Sequence, residues 1–163
     1  MDPSIATPPS PPMPRISPLL AVRDLCVSFA GRGSVFTRAS RPVPAVRNVS
    51  FEIAPGRSMG LVGESGSGKT TVGRAILRLL DPAVTHVTGR VEFDGEDVLH
   101  ASRARLRTLR RAIQIIFQDP GGSLNPRHRV RTLLAEPLIV HGLARGAEAI
   151  RAHVRQLLDQ VGL

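Results

Sequence analysis

The sequence predicts an α/β fold organised around a phosphate-binding loop, and three observations carry that prediction. Gly63-Glu64-Ser65-Gly66-Ser67-Gly68-Lys69-Thr70 is a complete loop of this kind. A short apolar run, Met59-Gly60-Leu61-Val62, precedes it, and Val72, Ala75, Ile76 and Leu79 follow at helical spacing, which gives the order strand, glycine loop, helix. Of the 22 basic residues, Lys69 is the only lysine. A chain that otherwise uses arginine has kept one compact ammonium where a planar guanidinium is too large to reach between two phosphates.

The loop's residue types state its mechanics. Gly63, Gly66 and Gly68 permit backbone angles and close approaches that a Cβ forbids, so successive N–H groups can converge on phosphate oxygens. Lys69 adds charge at the β- and γ-phosphates, and Thr70 offers its hydroxyl to Mg²⁺. The helix that follows points the partial positive charge of its N-terminus at the anion. The expected ligand of the loop is therefore the phosphate chain of a nucleotide, with Mg²⁺.

Composition bounds the rest. With 163 residues, 42% of them hydrophobic, the chain can build one domain with a real core. A net charge of +9 raises nucleic acid or an anionic membrane surface as partners. Aromatic residues are only 3%, without Trp or Tyr, so a stacking platform for single strands is poorly supplied. Nucleic acid is not the expected partner; a solvated basic surface or a protein-docking face is. Cys26 is the sole cysteine, so no internal disulfide can form. The most apolar stretch, 133–140, is broken by Glu136 and Pro137 and is too short to span a bilayer. Residues 1–18 lack the basic start and apolar core of a signal peptide and read as a flexible, Pro-rich tail.

From there the elements follow in order. Residues 19–29 read as a strand, 30–44 as a loop, and Val49, Phe51 and Ile53 as an alternating second strand, after which Ala54-Pro55-Gly56 turns the chain. Residues 59–62 read as a short buried strand. Val91-Glu92-Phe93-Asp94 alternates as an edge-like strand with Gly95 behind it. Ser102 caps a short helix reaching Arg111, very basic, with Leu106 and Leu109 on a narrow apolar face. Residues 113–117 read as a buried strand ended by Gln118-Asp119-Pro120, while 130–140 and 147–161 have helical spacing, with Gly162 at a C-cap position.

The phosphate loop, Ile115-Ile116-Phe117-Gln118-Asp119-Pro120 and Ser123-Leu124-Asn125-Pro126-Arg127 together resemble the nucleotide-binding subunits of ABC transporters, and the last segment is similar to their oligopeptide, dipeptide and nickel importer branch. The resemblance runs from residue 19 to residue 163. It implies a P-loop NTPase of ABC type: an N-terminal antiparallel β subdomain, the start of the parallel-sheet core and of the helical subdomain, with the C-terminal half absent. Residues 1–18 would then be the tail and 19–163 the N-terminal part of an ABC ATPase domain. Phe29 takes the place of the aromatic that stacks on adenine, usually Tyr; a core residue at a strand end is the other reading of it. Gln118 corresponds to the Q-loop glutamine, which reaches Mg²⁺ and the attacking water and reports nucleotide state to the membrane subunits. Asp119 and Pro120 shape that loop.

The cofactors so implied are ATP and Mg²⁺, and the site has Lys69 and Gln118 as catalytic residues and Thr70 and Gln118 at the metal. Phe29, Gly63, Glu64, Ser65, Gly66, Ser67, Gly68, Lys69, Thr70 and Thr71 hold the nucleotide. The Ser-Gly-Gly-Gln signature, the Asp-Glu strand end and the switch histidine of the family do not occur by Leu163, and the five histidines match no family motif. The family's partners are a second nucleotide-binding subunit, in a homo- or heterodimer, and transmembrane permease subunits; its place is the cytoplasmic face of the membrane. The strands that would flank 59–62 come, in the family, from beyond residue 163. Two alternatives stay open: a small complete P-loop kinase or NTPase using Asp119 for Mg²⁺, and a basic nucleic-acid-binding module.

Overall fold

The computed structural model describes residues 17–31 and 41–163, which form two units, Met1–His100 and Ala101–Leu163. Residues 1–16 of the expected tail and residues 32–40 of the expected loop lie outside the described residues.

In the first unit, β1 (Leu20–Phe29), β2 (Val43–Ile53), β3 (Thr85–Phe93) and β4 (Glu96–Asp97) form an antiparallel sheet of order β2-β1-β3-β4. β1 lies inside the sheet because its side chains supply most of the apolar surface: Ala21, Val22, Leu25 and Val27 are all buried. The step from Val22 to Leu25 breaks a strict alternation, and a register shift lies between them in the ladder to β2. An extra residue in β1, with Asp24 at φ +50°, restores Leu25 to the core face. Gly89 of β3 answers that irregularity. At φ +102°, it passes so close to β1 that a Cβ would stand 2.6 Å from the Asp24 carbonyl oxygen. On the exposed face, Arg23 pairs with Glu52 of β2 at 2.9 Å, and Arg90 with Glu92 at 2.6 Å. Such exposed pairs contribute about 0–1 kcal/mol each.

The helix α1 (Lys69–Ile76) buries Val72, Ala75 and Ile76. It stops short of the expected Leu79, because Arg78 enters the left-handed region at φ +49°. Its N–H donates to Ala75 O, and that of Leu79 to Arg74 O, closing the terminus as a Schellman motif.

In the second unit, Ser102 caps α2 (Arg103–Ala112) by accepting from the Arg105 N–H, as expected. α3 (Pro120–Ser123) follows, then α4 (Val130–Val140) and α5 (Ala147–Gln160), which pack on each other and bury Leu138 and Val154. Both helices end in glycine, Gly142 and Gly162, at positive φ, where the Cβ penalty vanishes.

Three expectations are corrected. Residues 59–62 form no strand and are not buried: Val62 is 94% exposed, and Met59 and Leu61 are exposed as well. Residues 113–117 likewise form no strand, with Ile116 88% exposed. A short apolar run becomes a strand only when neighbours pair its backbone groups, and every ladder among the described residues belongs to the antiparallel sheet. Lastly, the strand containing Val91 is longer than expected and sits inside the sheet, between β1 and the two-residue β4 at the edge.

Candidate nucleotide-binding site

Residues 63–70 wrap around the N-terminus of α1. Gly66 and Gly68 take φ of +81° and +94°, so two of the three loop glycines stand where L side chains are strained. The third, Gly63, lies close to Ser67: a Cβ there would stand 2.8 Å from Ser67 Oγ and would oblige that hydroxyl to turn away. Ser67 N–H donates to Glu64 O, which closes the turn, and Gly68 O accepts from Val72 N–H, which starts the helix.

The loop is fixed to the sheet through Gly68. A Cβ there would meet the Ala45 carbonyl oxygen at 2.5 Å and Val46 Cγ2 at 3.4 Å. Nothing in the residue types of 45–46 announced this seat, since the contact is made by main chain. β2 also links the loop to Phe29: Val43, two residues before Ala45, is the ladder partner of Phe29. Phe29 is half-buried at the end of β1, with Thr85 of β3 on its other side.

Lys69 turns its ammonium inward over the loop. Its Nζ donates to Gly63 O at 2.7 Å, Glu64 O at 2.6 Å and Ser67 Oγ at 3.2 Å. Three donors on three loop acceptors hold the charge at the centre of the turn, half-buried, instead of in free solvent. Thr70, in the first turn of α1, is exposed, and its hydroxyl has no hydrogen bond among the described residues. Thr71, on the same turn, is half-buried, and Ser65, in the loop before the helix, is exposed.

No cluster of three or more His, Cys, Asp or Glu side chains able to hold a metal exists among the described residues. The donor chemistry nevertheless fits Mg²⁺ of the nucleotide-bound kind, which takes one or two protein oxygens and completes its shell with phosphate and water. Thr70 Oγ1 is such an oxygen.

Gln118 belongs to the second unit, in an exposed bend between α2 and α3. Next to it, the Asp119 carboxylate accepts from Gly122 N–H at 2.9 Å and caps α3, whose first residue is Pro120. The bond holds residues 119–122 in one turn.

A glycine loop seated on an antiparallel sheet and opening a helix over a turned-in lysine describes a P-loop chain of mixed α and β structure. Comparison narrows the class. The family model described as "ABC transporter" matches residues 46–163, and the chain belongs to that family. It is 47% identical over 146 residues to the glutathione import ATP-binding protein GsiA of Salmonella paratyphi A, and equally to that of Escherichia coli O157:H7. In both cases the match covers 90% of this chain and 23% of the relative, so the chain spans about a quarter of the length of these curated relatives. Among solved structures, it is similar to a post-hydrolysis dimer of the ATP-binding cassette MJ0796 bound to ADP and Pi, with TM-score 0.64 and 23% identity, covering 88% of this chain and 57% of that one. It is also similar to cbiO1 from Clostridium perfringens, part of the cbiONQ transporter complex, with TM-score 0.59 and 24% identity, covering 90% and 51%. At these identities the structural likenesses speak for the fold: an antiparallel sheet with helices, as in part of an ABC nucleotide-binding domain.

Proposed function

We propose that this chain is the ATP-binding portion of an ABC importer subunit that couples ATP binding and hydrolysis to uptake of peptides or nickel. The observation that carries the reading is Lys69 held by three loop acceptors at the mouth of α1. A phosphate oxygen arriving there can replace the Ser67 hydroxyl, the longest of the three contacts, without displacing the two carbonyls that aim the ammonium. The N–H groups of residues 65, 66 and 68–70, at the α1 terminus, would then cradle the β- and γ-phosphates. Glu64, Ser65, Ser67 and Thr71 line that approach, Phe29 would meet the adenine ring by its π-face, and Thr70 would hold Mg²⁺.

When bound, Mg²⁺ neutralises phosphate charge and orients the terminal phosphoryl group. Gln118 would take up the metal and attacking water and pass nucleotide state to the permease. Hydrolysis on this reading requires a second nucleotide-binding subunit and groups beyond those described here, and the whole acts on the cytoplasmic face of the membrane. Among the described residues, no helix is long and apolar enough to cross it. The name of the GsiA relatives, which import glutathione, supports a small peptide as cargo.

The alternative, a self-contained kinase or NTPase using Asp119 for Mg²⁺, is disfavoured by the match of residues 46–163 to the ABC transporter family. The deciding experiment is equilibrium binding of a fluorescent ATP analogue to a complete subunit carrying this chain, since the 163-residue chain alone is expected to bind ATP weakly or not at all. Lys69→Ala is expected to lower affinity at least 100-fold and Lys69→Arg to lower it despite keeping the charge. Equal affinity of wild type and Lys69→Ala would remove the proposal.

A further inference from the structure

The positive charge of the chain is unevenly spread. Residues 101–163 carry eleven arginines against Asp119, Glu136, Glu148 and Asp159, whereas residues 1–100 carry eleven basic against nine acidic residues. Within the second unit α2 is the densest part, with five arginines and no carboxylate in ten residues. Leu109 is buried and Leu106 half-buried, which fixes the inward face of the helix. Arg103, Arg107 and Arg111 are exposed. Spaced four apart, they fall within an arc of about 80° and follow one another by about 6 Å along the axis. None of the three has an ion pair or side-chain hydrogen bond among the described residues. Like charges at this spacing disfavour a helix, so the row is unfavourable until a polyanion faces it.

We propose that this arginine stripe is a contact for the anionic headgroups of a lipid bilayer. The inference rests on the importer reading, which brings the chain to a membrane surface. The stripe is a straight row on one helix face, matching a planar array of phosphates, and each guanidinium can grip a phosphate through two N–H groups. The leucines of α2 face inward, so the contact is electrostatic and made without insertion, and it weakens with salt. Nucleic acid is the less suited polyanion. Thr108 is the only polar uncharged side chain on α2, and the chain has no Trp or Tyr to stack on bases.

The test is flotation of the 163-residue chain with vesicles of phosphatidylcholine, alone or with about one third phosphatidylglycerol, at roughly 50 mM salt. Each basic residue at an anionic surface strengthens partitioning about fivefold. The triple variant Arg103→Gln/Arg107→Gln/Arg111→Gln is therefore expected to partition on the order of 100-fold more weakly. Arg145→Gln/Arg151→Gln/Arg155→Gln removes the same charge from exposed positions on and beside α5 and is expected to lose less than about tenfold. Circular dichroism verifies that both triples stay folded. Equal losses in the two triples, or no preference of wild type for phosphatidylglycerol, would overturn the proposal. So would duplex DNA that competes the chain off the vesicles and depends on the same three arginines. ATP-analogue binding by a complete subunit carrying this chain separates the two readings: a failed flotation beside Lys69-dependent ATP binding in the complete subunit sinks the stripe alone, and absent ATP binding there sinks the importer reading.

Discussion

Gly68 rests against the main chain of Ala45, so closely that a methyl group on Gly68 would stand 2.5 Å from the Ala45 carbonyl oxygen. The obstacle is backbone of a strand held in a ladder, and it cannot rotate away. Gly66, in the same loop and also at positive φ, has nothing within 4 Å of its missing Cβ. The two glycines thus separate backbone strain from packing. Gly66→Ala is expected to cost the left-handed penalty alone, about 1–2 kcal/mol. Gly68→Ala should cost several kcal/mol more in relation to the overlap and abolish nucleotide binding by lifting the loop off β2. Thermal unfolding of the two variants decides it. Equal destabilisation would mean that Ala45 does not seat the loop.

Asp119 distinguishes a shaping role from a metal role. Its carboxylate caps α3 through Gly122 N–H, and an amide oxygen can accept the same bond. Asp119→Asn is therefore expected to keep stability within a few tenths of a kcal/mol, while Asp119→Ala loses about 1 kcal/mol. Mg²⁺-dependent nucleotide affinity should be unchanged in Asp119→Asn. A loss of Mg²⁺ dependence in that variant would revive the small-NTPase reading.

Legibility in the sequence followed the range of the interactions concerned. Ser102, Gly162 and the glycines of the loop were readable because caps and positive φ are set within a few residues. β1 was readable from its apolar density. The seat of Gly68 was not, because it joins residues more than twenty apart through a carbonyl that every residue possesses. The runs 59–62 and 113–117 looked like strands because their composition is that of strands. Composition records what a segment can pair with, and whether pairing occurs depends on which neighbours are beside it. Within the site, the residue types of 63–71 disclosed the cradle, while the inward turn of Lys69 onto Gly63, Glu64 and Ser67 emerged only from the geometry.

The Asp97 and His100 pair makes a pH-dependent prediction. Burial pushes the Asp97 carboxyl up. The His100 ring at 2.9 Å, the main-chain N–H groups of His100 and Leu99, and the His100 charge together outweigh burial and hold the carboxyl below its ordinary value. A depressed carboxyl stabilises the fold above its unfolded pKa of about 3.9, and that contribution is lost as pH falls through the lower folded value. At this largely exposed pair it amounts to less than about 1 kcal/mol. His100→Ala removes the ring and the charge but keeps the main-chain donors, so the Asp97 carboxyl is expected to titrate at higher pH than in wild type. Carbon-detected NMR titration measures this directly, and an unmoved Asp97 would show that the ring contributes nothing.

Val62 and Ile116 carry the last prediction. They are 94% and 88% exposed, each in an apolar run whose neighbours are also partly uncovered: Leu61 beside the first and Phe117 beside the second. An exposed, unpaired apolar run with strand propensity is an aggregation template. Because these side chains are so exposed, little native packing is lost by changing them. Val62→Asp and Ile116→Asp should each alter the stability of the 163-residue chain by no more than about 0.5 kcal/mol. Each should also raise the concentration at which the chain begins to aggregate and reduce its binding of an apolar dye. In a longer polypeptide, where the importer reading places the two runs inside a parallel sheet, the same substitutions would bury an unpaired carboxylate and cost several kcal/mol. Parallel measurements of light scattering and thermal unfolding on both lengths give the answer. A large loss of stability in the 163-residue chain would mean that these runs already form part of its core.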